Sequence, residues 1–113
     1  MPRRWEEGSV QVARVLPWTK SEPPNEATLR QELVAEGLEP YRWSNGPYAT
    51  YGEHRHSYVK VLYVIQGNIS FTLTDQGRTL ELRPGDRLEL PASINHTARV
   101  GPDGVVCLEA PRE

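Results

Sequence analysis

The sequence predicts an all-β domain, a sandwich or barrel that is preceded by one strand and one short helix. The chain has 113 residues, which suits a single domain with one hydrophobic core. Its ten prolines and nine glycines break it into short segments, and this favours many strands over long helices. Between those breaks, apolar and polar residues alternate, as they do in strands that bury one face.

We expect residues 1–47 to form a strand, a linker and a short helix that pack on the barrel. Residues 9–16 are rich in β-branched side chains and partly alternate, which predicts the strand. This strand could extend a sheet edge or pair with a second subunit, because it has no obvious partner nearby in the sequence. Residues 21–24 read Ser-Glu-Pro-Pro and predict a linker, since consecutive prolines cannot donate backbone hydrogen bonds.

The short helix is predicted from its capping residues and from its apolar spacing. Asn25 or Thr28 could cap the amino end. Leu29 and Leu33 are one turn apart and would face the same side. Gly37 is expected to end the helix. We expect this helix to pack on the outside of the barrel.

Aromatic residues lie on both sides of the turn residues 44–47, which predicts two short strands around a turn. The aromatic side chains could line an apolar pocket with polar tips. Large aromatics are more often ordinary core or interface residues in a small β-domain. The set is Tyr41, Trp43, Tyr48, Tyr51, Tyr58 and Tyr63.

We expect residues 48–113 to form the barrel itself. Residues 59–65 are an apolar run that predicts a buried strand, and the Gly-Asn dipeptide after them is typical of a tight turn. Further strands follow from the alternation of apolar residues between turn signals. The turns are predicted at residues 67–68, 75–77, 84–86 and 102–104, with strands around residues 69–73, 80–82, 88–90 and 105–108.

Charge and hydropathy argue against two classes of partner. The formal net charge is −2 and charges of both signs are spread along the chain, so no basic surface for nucleic acid is predicted. No apolar run approaches the roughly 20 residues that cross a bilayer. The first residues lack the apolar core of a secretory signal, so we expect a soluble cytoplasmic protein. The one cysteine, Cys107, excludes an internal disulfide and is expected to be a buried, inert thiol.

The three histidines of the chain lie in its most strand-like segments. His54 and His56 are two residues apart, and in an extended strand this spacing points both imidazoles to the same face. His96 follows a second segment with strand and turn residues, which begins at Gly85. The pair and the third histidine could therefore hold one small object between them.

These segments resemble the two motifs of the cupin superfamily of small, RmlC-like β-barrels. The first motif has the form G-x5-H-x-H-x3-4-E-x6-G, and the second has the form G-x5-P-x-G-x2-H-x3-N. The resemblance covers about residues 48–110. The positions that keep the spacing are His54, His56 and Gly67 in the first motif and Gly85, Pro91 and His96 in the second.

Several positions depart from the motifs. Lys60 stands where the first motif has its acidic ligand, Ser93 replaces a turn glycine, and Val100 replaces the closing asparagine. The first glycine of the first motif is also missing, because its place is taken by Tyr48. The change at position 60 bears most directly on function.

The resemblance implies a double-stranded β-helix, or jelly-roll barrel, with His54, His56 and His96 as ligands of a divalent metal ion inside the barrel mouth. Neutral imidazole is a good ligand for zinc, iron, nickel and copper, and manganese is a further possibility. Three histidines would leave one face of the ion open to polarise a substrate oxygen, activate water or carry dioxygen. Cupins similar to this chain are commonly dimers joined through sheet edges, which implies a homodimer.

Lys60 changes the electrostatics that such an ion would meet, and it is a candidate catalytic residue. A unit positive charge about 5 Å from a divalent ion costs on the order of 7 kcal/mol at an effective dielectric near 20. Lys60 could swing away, could become a neutral amine that acts as base or ligand, or could signal that the metal is absent. It could also be a solvent-reaching amine at the mouth. Glu53 and Glu89 are nearby acids that could replace the lost ligand, although each is more simply a solvated strand residue.

Three functions remain open at this point. The first is a metal-dependent enzyme that acts on a small anionic molecule, because loss of the acidic ligand leaves the ion's charge uncompensated. The second is a metal-containing binding module or sensor without turnover. The third is a structural cupin without metal, in which Lys60 takes the place of the ion. The fold alone cannot choose between them.

Overall fold

The computed structural model describes residues 12–113. They form a seven-stranded antiparallel arrangement with one helix, so the predicted predominance of strands and the single short helix are confirmed. No helix in this range is long and apolar enough to span a membrane. The order is β1 (Arg14–Leu16), α1 (Glu26–Ala35), β2 (Tyr41–Asn45), β3 (Thr50–His54), β4 (Val59–Leu73), β5 (Arg78–Leu82), β6 (Arg87–Leu90) and β7 (His96–Arg112).

Two long strands, β4 and β7, form the centre of the barrel. They are antiparallel and are paired from Val59 opposite Arg112 to Leu73 opposite His96. The first half of β4 also pairs with β6 and the second half with β5. β7 pairs with β3 near its start and with β2 near its end. Each long strand therefore belongs to both layers, as expected of the predicted jelly roll.

The turns predicted at residues 67–68 and 102–104 are wrong, because both segments lie inside the long strands. Gly67 pairs with Val105, and the register of β4 and β7 shifts on either side of this pair. Gly67 has a φ of 75°, and a Cβ there would collide with the carbonyl of Gly104. Glycine thus lets the two strands bend together from one layer to the other without breaking their ladder.

Alternate residues of the strands fill the inside of the barrel. Leu62 and Phe71 of β4 face inward and are 0% and 2% exposed. The inner core is almost entirely aliphatic, which is what a closed barrel of this size needs to exclude water. Its members are Ala13, Leu62, Val64, Ile69, Phe71, Leu73, Leu80, Leu82, Leu88, Leu90, Ala98, Val100, Val105 and Cys107.

The helix covers the outside of the barrel, as predicted. Asn25 caps it by accepting a hydrogen bond from the backbone N–H of Thr28 at 3.1 Å. Leu29 and Leu33 are 1% and 0% exposed, and they pack on outward-facing residues of β4 and β7. Gly37 follows the last turn with a φ of 82°, which suits its predicted role as terminator. The outer core comprises Leu29, Leu33, Val61, Tyr63, Leu108 and Ala110.

A partly buried ion-pair network joins the end of the helix to the barrel wall. Glu36 accepts hydrogen bonds from Arg87 at 2.7 and 2.8 Å and another from Arg112. Arg87 also donates to Glu89 and to the Tyr63 hydroxyl, both at 3.0 Å. Burial would raise the pKa of Glu36, but the hydrogen bonds and charges of Arg87 and Arg112 outweigh it and hold the pKa below 4.5. The network fixes the helix on the sheet.

The first strand finds its partner within the chain. In the ladder, Arg14 of β1 lies opposite Glu89 of β6, so β1 extends the edge of the sheet. Pairing with a second subunit stays a prediction. Residues 9–11 of the predicted strand lie outside the described residues. The division between residues 47 and 48 also stays a prediction, and β2, which precedes it, is hydrogen-bonded to β7.

Candidate metal centre

The three histidines meet where β3 and β7 pair. His54 ends β3, His96 begins β7, and the two lie opposite each other in the ladder. Ring centroids are 4.3 Å apart for His54 and His96, 4.9 Å for His54 and His56, and 5.3 Å for His56 and His96. One ring nitrogen from each residue lies within 4.8 Å of the others, so one ion could contact all three.

Backbone contacts decide which ring nitrogens of two histidines carry a proton. Nδ1 of His54 lies 2.8 Å from the carbonyl oxygen of Gly52, and Nδ1 of His96 lies 2.9 Å from that of Ile94. A carbonyl oxygen can only accept, so each Nδ1 carries the proton and donates it. The Nε2 of each ring then keeps a free lone pair, which is the usual arrangement of a metal-binding histidine.

Two of the three histidine Nε2 atoms lack a hydrogen-bond partner among the described residues. Nε2 of His56 and Nε2 of His96 are buried and accept no hydrogen bond from the described residues. Leaving a buried polar atom unsatisfied costs about 1–3 kcal/mol, so such atoms are rare in folded proteins. A divalent ion would satisfy both of them at once. The residues therefore fit a metal ion.

Burial also keeps these imidazoles in the neutral form that binds metals. It lowers the pKa of His56 from 6.5 to about 4, and the positive charge of Lys60 adds to this effect. Burial lowers the pKa of His96 as well, against the opposing effect of its hydrogen bond to Ile94. Little competition from protons is expected near neutral pH.

Lys60 lies inside the barrel and is not a solvent-reaching amine. Its exposed fraction is 7%, and its position two residues before Leu62 on β4 directs it inward. The ammonium nitrogen lies 5.3 Å from the centroid of the Phe71 ring and 3.6 Å from Oε1 of Glu109. Lys60 therefore stays near the histidines and has a carboxylate beside it.

Glu109 is the charged residue of the site that sequence reasoning missed. It is 4% exposed and lies on β7 opposite Leu62. Its Oε1 accepts a hydrogen bond from Nε1 of Trp43 at 2.9 Å, and its Oε2 accepts one from the Tyr41 hydroxyl at 2.8 Å. Burial raises the pKa of Tyr41, as do the hydrogen bond and charge of Glu109, so the phenol remains a donor. The carboxylate is thus held at both oxygens.

The two acids that the sequence suggested as replacement ligands lie elsewhere. Glu53 is exposed on β3. Glu89 is 1% exposed, but it is on the outer face, where it accepts from Arg14 at 2.7 Å and from Arg87 at 3.0 Å. In residues 12–113, no carboxylate joins the histidine cluster.

A small cavity is lined by both Lys60 and His54. Its volume is about 40 Å³. One water needs roughly 10–15 Å³ on the same measure, so the cavity admits only a small polar head group. Larger grooves, of about 240 and 190 Å³, lie elsewhere on the surface and contain none of the three histidines. The cavity is lined by Trp43, Tyr51, His54, Lys60, Ile69, Phe71 and Ala98.

Some of the aromatic residues lie at the cavity or beside a histidine, whereas the others and Cys107 lie elsewhere. Trp43 and Tyr51 line the cavity, and Tyr58 stacks on His56 with a centroid distance of 4.9 Å. The others lie outside this cavity, among them Tyr63 in the outer core. Cys107 is fully buried, and burial raises the pKa of its thiol to about 12, as expected for an inert residue.

Residues 42–108 match the Cupin_2 cupin domain family. The match covers more than half of the chain, and it includes the three histidines and Lys60. Glu109 lies just beyond it. No curated protein matches the sequence.

Solved structures share this fold. The polyketide cyclase RemF from Streptomyces resistomycificus is 28% identical with a TM-score of 0.58, over 67% of this chain and 55% of that protein. A structure from a study of the DMSP lyases RdDddP and RnDddQII is 28% identical with a TM-score of 0.59, over 67% of this chain and 38% of the other. An RmlC-like cupin from Shewanella frigidimarina is 21% identical with a TM-score of 0.56, over 67% of each chain, which shows the fold alone. Sequence and barrel together show that this chain belongs to the cupin family.

Proposed function

We propose that this cupin binds one divalent metal ion through His54, His56 and His96 and acts as a metal-dependent enzyme on a small anionic molecule. The observation that carries the proposal is the pair of buried, unpartnered Nε2 atoms. Two neighbouring buried nitrogens without hydrogen-bond partners are costly, and a cation bound by both would remove that cost.

The donor set indicates what kind of ion would bind. Three imidazole nitrogens suit zinc, iron, nickel, copper or manganese better than calcium or magnesium, which prefer oxygen ligands. When bound, such an ion supplies a Lewis acid with an open face. The chain itself holds the imidazoles of His54 and His96 in their orientation through the carbonyl groups of Gly52 and Ile94.

Charge within the site favours an anionic ligand. Three neutral imidazoles leave both charges of a divalent ion uncompensated, and the charge of Lys60 is balanced by Glu109 at 3.6 Å. A carboxylate about 4 Å from the ion would gain about 8 kcal/mol of Coulomb energy at an effective dielectric near 20, before the cost of desolvation. A neutral molecule of the same shape lacks this gain.

The comparisons support the enzymatic part of the proposal. A polyketide cyclase and a structure from the DMSP lyase study each share 28% identity with 67% of this chain. This chain spans only 55% and 38% of those two chains, so their activities are not carried over. They support catalysis on small molecules at a barrel of this kind, and the open coordination face would be where it occurs.

Metal stoichiometry tests the proposal. The protein is stripped with a chelator, titrated with Zn²⁺ or Co²⁺, and analysed by mass spectrometry and by the visible spectrum of Co²⁺. We expect one ion per chain in the wild type and its loss in His56→Ala and in His96→Ala, because each variant removes one of three ligands. Cys107→Ser is the matched control, since its buried side chain is outside the cluster and should leave stoichiometry unchanged.

Two results would contradict this proposal. The first is a folded wild type that binds no ion, and the second is full stoichiometry in both histidine variants. Turnover is then screened on metal-loaded protein with small carboxylates, and oxygen uptake is measured first. Activity that survives in metal-free His56→Ala would exclude a metal-dependent reaction at this site.

A further inference from the structure

We propose that Lys60, whose charge is balanced by Glu109, sets the ligand specificity of this cupin by binding the carboxylate of a short organic acid whose second oxygen donor contacts the metal ion. This inference rests on the proposed function, because it requires an ion at the histidines. It is carried by the largely buried side chain of Lys60, which lines the same cavity as His54.

The ammonium group of Lys60 has donors to offer. Its side chain is 8% exposed, and Oε1 of Glu109 lies 3.6 Å away, which is beyond hydrogen-bonding distance. That oxygen already accepts the indole N–H of Trp43 at 2.9 Å. An ammonium carries three N–H donors, and none of those of Lys60 is used in a hydrogen bond to the described residues. They are available to a ligand oxygen in the cavity that Lys60 lines.

Glu109 balances the charge of Lys60 but does not take up its donors. The Tyr41 hydroxyl donates to the other carboxylate oxygen at 2.8 Å, so both oxygens of Glu109 already accept a hydrogen bond. Glu109 is itself 4% exposed, which makes its charge felt strongly across a short distance. Glu109 therefore provides a counter-charge for Lys60 and leaves its N–H groups available to a ligand.

The dimensions of the site limit the ligand. The Phe71 ring lies 5.3 Å from the ammonium nitrogen of Lys60 and 6.2 Å from the His96 ring, so Lys60 and one of the proposed metal ligands flank the same aromatic ring. The cavity beside it, of about 40 Å³, admits a carboxylate and excludes a bulky group. We therefore choose a short acid with oxygen donors at both ends, malonate, as the probe.

The experiment compares malonate with malonamide, its neutral diamide, on Co²⁺-loaded protein. Binding is followed by the Co²⁺ spectrum and by calorimetry. In Lys60→Met the affinity for malonate should fall about tenfold or more, whereas affinities for malonamide and for Co²⁺ should not fall. Lys60→Arg should retain the preference for malonate. Glu109→Gln should bind malonate several-fold more tightly, because it removes a competing negative charge but keeps an amide beside Trp43 and Tyr41.

The opposite signs expected for Lys60→Met and Glu109→Gln separate recognition from a structural role. Equal weakening in both variants would overturn the inference, and so would wild-type malonate affinity in Lys60→Met. Folding of each variant is checked by circular dichroism. Lys60→Gln is measured in parallel and replaces Lys60→Met in the comparison if Lys60→Met does not fold. A wild type without metal would refute the proposed function itself, which distinguishes that failure from failure of the present inference.

Discussion

Replacing Glu36 by glutamine removes the negative charge that joins the end of α1 to the barrel wall. The carboxylate accepts two hydrogen bonds from Arg87 and one from Arg112. Glutamine keeps the size of the side chain and one acceptor oxygen. The substitution therefore tests the charge of the network with little change in packing.

The expected loss of stability in Glu36→Gln follows from how deeply Glu36 and Arg87 are buried. Removing one partner of a fully buried ion pair costs about 3–5 kcal/mol. The Glu36 side chain is 32% exposed, and Arg87 keeps Glu89 and Tyr63 as partners, so solvent and neighbours reduce the cost. We expect about 2 kcal/mol at pH 7. At about 4 °C per kcal/mol for a domain of this size, the melting temperature should fall by about 8 °C.

The pH dependence of this loss has a definite sign. The pKa of Glu36 is lowered in the folded protein, so its contribution to stability is fully present above the ordinary value of 4.5 and is lost as pH falls through the lower folded value. The difference between wild type and Glu36→Gln should thus be constant from pH 7 to about pH 5.5 and should close below about pH 4.5. Urea titrations of metal-free protein, followed by tryptophan fluorescence, measure the free energy of unfolding at each pH.

Glu39→Gln is the control, because Glu39 is exposed and forms no ion pair within the described part of the chain. It should unfold with the wild-type free energy at every pH. Wild-type stability of Glu36→Gln at pH 7 would refute the reasoning. A destabilisation that persists unchanged to pH 3 would also refute it, since the charge could not then be the cause.

Other features of the fold give further predictions. In metal-free protein, nuclear magnetic resonance should show His56 titrating near pH 4. The unfolded chain takes up this proton near pH 6.5, so the free energy of unfolding should decrease as pH is lowered from 6.5 to 4. The decrease should be smaller in His56→Ala. A titration of His56 near 6.5 would contradict its burial. Gly67→Ala should cost about 2–4 kcal/mol in urea titrations, because a Cβ there collides with the Gly104 carbonyl at a positive φ. Gly52→Ala meets nothing within 4 Å and should be nearly neutral; equal losses in the two variants would argue against a specific collision. Asn25→Ala should lower the free energy of unfolding by about 1 kcal/mol, and Asn25→Ser should lower it much less, because serine can also cap α1. Equal stability of wild type and Asn25→Ala would show that the cap adds no stability.

Features encoded by local spacing could be predicted from the sequence. The interval between His54 and His56 and the position of His96 indicated a shared centre, and the three rings do meet. The cap at Asn25 and the pair Leu29 and Leu33 likewise predicted α1 and its buried face. Each of these depends on residues within a few positions of one another or on a motif with fixed spacing.

Features that depend on strand register could not be predicted. Glu109 reaches the site because β7 places it opposite Leu62 and Tyr41, and no local pattern reports that pairing. Its one available signal was a single acid in an otherwise apolar stretch over residues 105–110. The turn predicted at residues 67–68 was wrong for the same reason. A Gly-Asn pair is typical of a turn, but here it forms a bend within β4, because β7 continues alongside it.

The ladder between β3 and β7 brings together segments that are far apart in the sequence, and the ligand set does not exist until that ladder has formed. We therefore expect the nascent chain to fold first and to capture its ion afterwards. Such an ion would prolong the lifetime of the native state by slowing the opening of this end of the barrel, while leaving the rate of folding almost unchanged. Metal supply would then govern how long each molecule lasts more than how fast it matures.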